Sequence, residues 1–436
     1  MIYRHLGTLS KTWNPRLAPV SSRLKSPPFT GFLKPSGLLL QSKPQRFELS
    51  RNWAPQPHNQ HSHSLRMASF SFYFTPLKAM AITEAASSPS LLVPSVMLKT
   101  VTAVLFIGFL AWLFQAIRPP PPRICGSPGG PPVTGPRIKL RDGRYLAYLE
   151  YGVPKDSAKY KVVLVHGFSG SKYDASIATA EAVQELGVYF VSFDRPGYGE
   201  SDPDPKRSVR SLALDIEDLA DQLELGSKFY VVGTSMGGQA VWGCLKYISH
   251  RLAGVALIVP VVNYRWPGFP PKLSAEAYYQ QYPEDQWSLR VAYYAPWLTY
   301  WWNTQKLFPS SSVASGRPTL SRQDLELVSK LRDRPTPMGY PTQQGLYESF
   351  HKDMNVGFGK WEFSPMDLED PFPNGEGSIH LWQGDEDGLV PVTLQRYIAE
   401  KLPWIHYHEI PGAGHLLGLA DDNKEAILRA LLDGGK

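Results

Sequence analysis

Tyr230-Val231-Val232-Gly233-Thr234-Ser235-Met236-Gly237-Gly238 is the stretch whose reading decides the fold. A short apolar run, the pattern of a buried strand, ends abruptly in G-x-S-x-G, and the helix-compatible Gln239-Ala240-Val241-Trp242 follows. A strand that turns sharply into a helix holds the residue at the apex clear of the backbone. Glycines flank that residue because a Cβ at either position would collide with the neighbouring strand or helix. Ser235 is thus a candidate nucleophile. Any strand-to-helix turn needs glycines, however, so the rest of the chain must supply a base, an acid and an oxyanion site.

Working outward, strand-like runs alternate with helical patterns. Ile138 to Tyr151 alternates around Asp142-Gly143, which predicts a β-hairpin. Lys161–Val165 reads as a strand, about 175–186 as a helix, Val188–Phe193 as a strand and about 208–225 as a helix leading into the strand that carries Ser235. Further strands are expected at Val255–Val259, Ile379–Trp382 and Trp404–Ile410, with a closing helix over about 423–432. Strands apolar on both faces and separated by helices predict an α/β fold: a mostly parallel central sheet flanked by helices. The alternation breaks over about 263–377. Between Tyr264 and Trp302, 13 of 39 residues are aromatic, against 53 of 436 in the chain, and prolines are frequent. This predicts a helical cap insertion, its aromatics mostly packing its own core and the rest walling a pocket.

Composition bounds the flanks. Of the net charge of +6, residues 1–80 contribute +10, from 11 Lys/Arg against Glu48, which leaves −4 for the remainder. The basicity belongs to the leader, so nucleic-acid binding by the folded part has no electrostatic basis. Residues 1–99 read as a disordered leader, and the Ser, Pro, Arg and His content of residues 1–66 suits an organelle-targeting presequence for a plastid, mitochondrion or the endoplasmic reticulum. An unstructured tail fits equally, as does an extension preceding a start at Met67 or Met80. Thr100–Ile117 carries no charge, and its 18 residues span ~27 Å as a helix, enough for one membrane crossing. Lys99 lies before it and Arg118, Arg123, Arg137, Lys139 and Arg141 after it, so the positive-inside rule places the C-terminal domain in the cytosol. Residues 118–136 read as a Pro/Gly-rich linker, flexible after Gly126, and 137–436 as the globular domain. Cys125 and Cys244 suggest neither a disulfide framework nor a metal site, and point to a reducing compartment.

The remaining motifs fall at strand ends. His166-Gly167-Phe168 follows one strand, and there the Phe168 amide can face a developing oxyanion, with the Met236 amide as second donor. The His166 side chain is expected to satisfy loop carbonyls instead. Asp194-Arg195-Pro196-Gly197-Tyr198-Gly199-Glu200-Ser201-Asp202 is expected to brace loops. Gly384-Asp385-Glu386-Asp387-Gly388-Leu389-Val390-Pro391 offers an acid, and Pro411-Gly412-Ala413-Gly414-His415 a base whose glycines let it fold back toward Ser235. A serine hydroxyl is a poor nucleophile until a base takes its proton, and a carboxylate fixes the tautomer of that base. Ser235, Asp387 and His415 follow one another in a workable order.

From about Arg137 onward, HGFSGS, DRPGYGESD, GTSMGG, GDEDGLVP and GAGH resemble the α/β-hydrolase superfamily, and PPPPRICGSPGGPPVT and RIKLRDGR, following the span, resemble a plant subgroup of membrane-anchored members whose substrates are undefined. The resemblance implies Ser235 as nucleophile, Asp387 as acid with Asp385 the adjacent alternative, His415 as base, and the Phe168 and Met236 amides as oxyanion hole. Serine at the elbow departs from the epoxide-hydrolase and dehalogenase relatives, which carry aspartate, and so argues against an alkyl-enzyme. The expected activity is cleavage of a carboxylic ester, with a lipid or other apolar acyl chain, through an acyl-enzyme without metal or organic cofactor. Acyl transfer, thioesterase or peptidase chemistry uses the same triad, and a small-molecule receptor or scaffold is the reading from another class. His380-x4-Asp385 matches a short acyltransferase pattern but straddles the strand before the acid loop, and is read as chance.

Overall fold

A computed structural model describes residues 95–174, 177–332 and 336–434 of this chain. The leader, with its targeting reading and its alternative starts, lies outside them, apart from the first turn of helix α1 (Ser95–Ile117). That helix is long and apolar enough to cross a bilayer over Val96–Ile117, begins five residues before the span expected from sequence, and exposes every residue from Val96 to Ala116.

An eight-stranded sheet forms the centre: β1 (Arg137–Lys139), β2 (Tyr145–Gly152), β3 (Tyr160–Val165), β4 (Val188–Phe193), β5 (Phe229–Thr234), β6 (Leu252–Ile258), β7 (Ile379–Gly384) and β8 (Ile405–Ile410). Their order is β1-β2-β4-β3-β5-β6-β7-β8. β1 and β2 pair antiparallel across the expected Asp142-Gly143 turn, β2 runs antiparallel to β4, and the other neighbours are parallel. Helices α2 (Ala180–Leu186), α3 (Val209–Gln222), α4 (Gly238–Tyr247), α10 (Val392–Lys401) and α11 (Asp421–Asp433) cover the two faces.

Period-two side-chain alternation assigns the layers. Val163, Val165 and Val231 join a core with Leu212, Ile216 and Leu219 of α3, Val241 and Trp242 of α4, and Leu394 and Ile398 of α10. Their neighbours Val162, Leu164 and Val232 point the other way, toward Val183 of α2 and Ile427, Leu428 and Leu431 of α11. Parallel strands buried on both faces explain the near-continuous apolar runs of the sequence.

The regular elements of the insertion between β6 and β7 are, among its described residues, helical and joined by long loops: α5 (Pro271–Tyr279), α6 (Pro283–Tyr294), α7 (Thr299–Thr304), α8 (Arg322–Arg332) and α9 (Lys352–Phe358), the last entered by a π-helical turn, Tyr347–His351. The Pro/Gly-rich segment before β1 behaves differently from the flexible spacer that its composition suggests. Arg123 N donates to Gln344 O (2.9 Å), Cys125 N to Gln344 Oε1 (2.9 Å), and Gly126 N to Pro131 O (2.8 Å). Thr134 N and Gly135 N donate to the Glu200 carboxylate at 2.9 and 3.2 Å, and Cys125 is buried. Prolines leave this segment few backbone donors, and Gln344 and Glu200, more than 60 residues away, accept four of those that remain.

Candidate active site

Ser235 sits at the end of β5 with φ of +54°, a left-handed conformation that costs a non-glycine residue free energy of order 1–3 kcal/mol. Packing enforces it. A Cβ on Gly233 would overlap Val241 of α4 and the Gly237 carbonyl, and one on Gly237 would overlap the carbonyls of Val165 and His166 at the end of β3. The two elbow glycines thus let β5 and α4 close on the chain on either side of Ser235, as the motif implied.

His415 arrives on the loop after β8 and Asp387 on the loop after β7. His415 Nε2 lies 2.9 Å from Ser235 Oγ, and His415 Nδ1 lies 2.8 Å from Asp387 Oδ2. A carboxylate only accepts, so Nδ1–H donates to Asp387 and Nε2 is left to accept from the serine hydroxyl. Burial pulls the His415 pKa down, but the facing Asp387 carboxylate, and after it Asp324, more than offset this, so the pKa is raised. The Asp387 carboxylate is itself fixed: Oδ1 accepts from Leu389 N and Val390 N, both at 2.9 Å, and Oδ2 from Gln383 Nε2 at 3.0 Å. Asp385, the neighbouring alternative, instead turns to Gly412 N at 2.6 Å.

Phe168 and Met236 both border the cleft that Ser235 and His415 share. Ser235 opens the 3-10 turn Ser235–Gly237, so the Met236 amide lies in its first turn, where backbone donors lack an intrahelical acceptor. A Cβ on Gly167 would come within 3.1 Å of Ser235 Cβ, which lays the Gly167-Phe168 peptide over the serine. The Phe168 ring packs on Phe350 of the π-helical turn, centroids 4.5 Å apart.

The other motifs do what the sequence suggested. His166 Nδ1 donates to Gly167 O (2.8 Å) while Nε2 accepts from Arg195 N (3.0 Å), and burial, then the Arg195 charge, push its pKa well down, so it is a neutral loop brace. Asp194 accepts from Lys172 N (2.8 Å), Glu200 N (3.1 Å) and Tyr340 Oη (2.7 Å), and burial raises its pKa to about 6. His380 bonds Ser378 Oγ and His408, and with Asp385 turned to Gly412 the short acyltransferase-like pattern joins no common site.

Two positioning carboxylates escaped sequence reasoning. Asp324, buried in α8, accepts from His415 N (3.1 Å) and Leu416 N (2.6 Å) and thereby holds the His415 loop. A Cβ on Gly414 would overlap Asp324 and Ser321, so that glycine admits the approach. The signal available was Ser321-x-x-Asp324, a reciprocal cap bonded at 3.0 and 3.1 Å, which announces a helix start and nothing of a partner 91 residues away. Asp353, in α9, accepts from Arg195, Arg207 and Tyr198, and Arg195 Nη2 also donates to Gly167 O at 2.9 Å.

Two cavities meet at Ser235 and His415. One, enclosing about 670 Å³ with its open mouth, lies under the cap and is walled mainly by apolar side chains, among them Val261, Val262, Leu289, Val313, Met354 and Phe358. The other, about 830 Å³, runs along His166, Gly170 and Ile177. Among the described residues, no group of three or more His, Cys, Asp or Glu is arranged to hold a metal ion.

Residues 162–430 match the model of the alpha/beta hydrolase family. The chain belongs to that family. Its mostly parallel eight-stranded sheet between helical layers fits that family, and the family match supports a hydrolase whose substrate is undefined. A probable lysophospholipase of Arabidopsis thaliana, BODYGUARD 4, is 23% identical over 278 residues, 61% of each chain, so the match spans under two thirds of that relative. A thermophilic esterase from Thermogutta terrifontis, matched over 70% of this chain and 100% of its own, has 19% identity and a TM-score of 0.45. An esterase from Exiguobacterium antarcticum, with the same coverage, has 15% identity and a TM-score of 0.44.

Proposed function

We propose that this alpha/beta hydrolase cleaves an ester of an apolar acyl chain by a Ser235-His415-Asp387 acyl-enzyme mechanism, while anchored to a membrane by α1. The observation that carries the reading is the continuous relay from Asp387 Oδ2 through His415 to Ser235 Oγ, at 2.8 and 2.9 Å, opening on an apolar cleft. Ser235 Oγ attacks the ester carbonyl as His415 Nε2 takes its proton, and Asp387 stabilises the imidazolium. The Phe168 and Met236 amides receive the tetrahedral oxyanion. Collapse expels the alcohol, protonated by His415, and water activated by the same imidazole releases the acid.

The cleft under the cap suits an acyl chain because its walls are aliphatic and aromatic. The similar Arabidopsis protein, a probable lysophospholipase, is consistent with such a substrate. Anchoring is supported by a helix that is apolar all round and shares none of its residues 96–116 with the protein interior.

Fluorophosphonate labelling tests the chemistry. Wild type should be captured covalently and Ser235→Ala should not, and His415→Ala should lower ester turnover by roughly three to four orders of magnitude. A well-folded wild type that resists the probe would favour the receptor reading and overturn this one. Release from membranes by carbonate wash would overturn the anchor alone.

A further inference from the structure

We propose that the outward apolar face of the cap formed by Trp287, Leu307 and Phe308, packed over the half-buried Trp302, rests in the headgroup region of the bilayer that α1 crosses; this builds on the anchor reading above. Three observations carry it.

The first is the patch itself. Trp287 and Trp302 ring centroids lie 6.1 Å apart, Trp302 and Phe308 4.6 Å, and Trp301 and Phe308 6.1 Å, so the rings form one continuous group across α6, α7 and the loop after it. Trp287 is 53% exposed and the adjoining Leu307 82%. Isolated exposed apolar residues are ordinary, but a contiguous aromatic patch on a water-facing surface is not. Tryptophan favours the interface between headgroups and acyl chains, where a flat apolar ring with one polar N–H is accommodated better than in water or in hydrocarbon. Arg290, 4.8 Å above the Trp287 ring, and the exposed Lys306 put cations at the edge of the patch, where lipid phosphates would lie.

The second observation is proximity. α1 meets the domain at α7, and its last residue, Ile117, is the only one of residues 96–117 that is not exposed. From Ile117 to Arg123, the first residue tied to the domain by its backbone, only residues 118–122 intervene, four of them proline. At about 3.1 Å per residue in the extended proline helix, the tether is only ~16 Å long. A surface held this close meets the bilayer at a high effective concentration, and a bilayer therefore outcompetes a second copy of the chain as the occupant.

The third is orientation. Helix α6 turns Asp285 and Leu289 into the cleft that holds Ser235, and Trp287 to the outside. The docked face is therefore the roof of the cleft, and an acyl chain leaving the bilayer would reach Ser235 without crossing bulk water.

The test uses the full chain in vesicles of phosphatidylcholine and phosphatidylglycerol. Cys125 and Cys244 are both buried, so Trp287→Cys and Phe308→Cys can carry an environment-sensitive fluorophore, with the exposed Lys228→Cys, just before β5 and at the opposite end of that strand from Ser235, as reference. Labels at 287 and 308 should shift to the blue and be quenched by lipids bearing a nitroxide near the headgroup, and the label at 228 should not. A double Trp287→Ser, Phe308→Ser variant should keep wild-type turnover of a soluble short-chain ester and lose about tenfold or more on an ester embedded in the vesicle. Labels at 287 and 308 that behave like the one at 228, in protein that withstands carbonate wash, would overturn the docking while leaving the anchor intact. Cross-linking between labels at 287 on two copies, without lipid quenching, would assign the patch to self-association and equally overturn it.

Discussion

At the scale of single residues, His415, the proposed base, is held by more than Asp387, its proposed acid. Asp387 sets the His415 ring through Nδ1, and Asp324 sets its backbone by accepting from the amides of His415 and Leu416. In the proposed mechanism His415 must be neutral to take the serine proton, so activity should rise with pH through its pKa. Burial lowers that pKa, Asp387 and then Asp324 raise it, and the net shift is upward. Asp324→Asn keeps an acceptor oxygen but removes a negative charge, which leaves burial less opposed. The acid limb of kcat/KM should then move to lower pH, with kcat/KM at its plateau down by about 10- to 100-fold as the loop loosens. A pH profile superimposable on wild type would reduce Asp324 to an ordinary helix cap. The choice between Asp385 and Asp387 belongs to this scale as well. Both precede the same turn, and only the tertiary loop aims one at His415 and the other at Gly412.

At the scale of elements, the strand pair β7 and β8 stacks imidazoles at the sheet's edge, with His380 buried and His408 half-buried. His380 Nδ1 lies 3.0 Å from His408 Nε2, and the His408 ring stacks on Trp382 at 3.9 Å. Burial, then the facing His408 and His406, lower the His380 pKa to about 3, and burial lowers that of His408 too. The unfolded chain would bind protons near the ordinary histidine pKa of about 6.5, well before the folded one does, so stability falls as pH drops from about 7 toward 4. His166 and His351, also buried with lowered pKa values, add to the same slope. Urea midpoints measured across this range should decline, and His380→Gln should flatten the slope by up to about one proton. A slope unchanged by His380→Gln would show that the strand pair tolerates imidazolium. Periodicity had placed both strands, but not the register His380↔His406 and Trp382↔His408 that puts the rings on one face.

At the scale of the whole molecule, the cap is bolted to the sheet through a buried charge cluster. Asp353 of α9 receives both Arg195 and Arg207, with Tyr198 Oη at 2.8 Å, and all four side chains are buried. Removing the carboxylate leaves two guanidinium groups without their partner in a site that water does not reach. Asp353→Ala should therefore lower unfolding stability by ~3–5 kcal/mol, read from denaturant midpoints. Because Arg195 also holds Gly167 O, the same variant should lose turnover under conditions where it is still folded. A loss below about 1 kcal/mol would mean that the pair of arginines finds other acceptors.

What the sequence determined by itself is whatever rests on local covalent constraint. Two-residue and 3.6-residue periodicities marked the strands and helices, the glycines of the elbow required a tight turn at Ser235, and the order serine, aspartate, histidine at successive strand ends made a hydrolase legible. The aromatic enrichment of residues 264–302 likewise announced a cap. Tertiary structure alone decided which side chains from remote parts of the chain complete the candidate site: Gln383 behind Asp387, Asp324 behind His415, and Asp353, through Arg195, behind the Gly167 loop. It also decided that the Pro/Gly-rich linker of residues 118–136, read as flexible after Gly126, is tied to the domain by hydrogen bonds from Arg123, Cys125 and Thr134. The physical reason is the same in each case. Backbone conformation is set by neighbours in sequence, whereas a buried polar group must find its partner wherever the fold brings one within about 3 Å, and composition carries no record of that meeting.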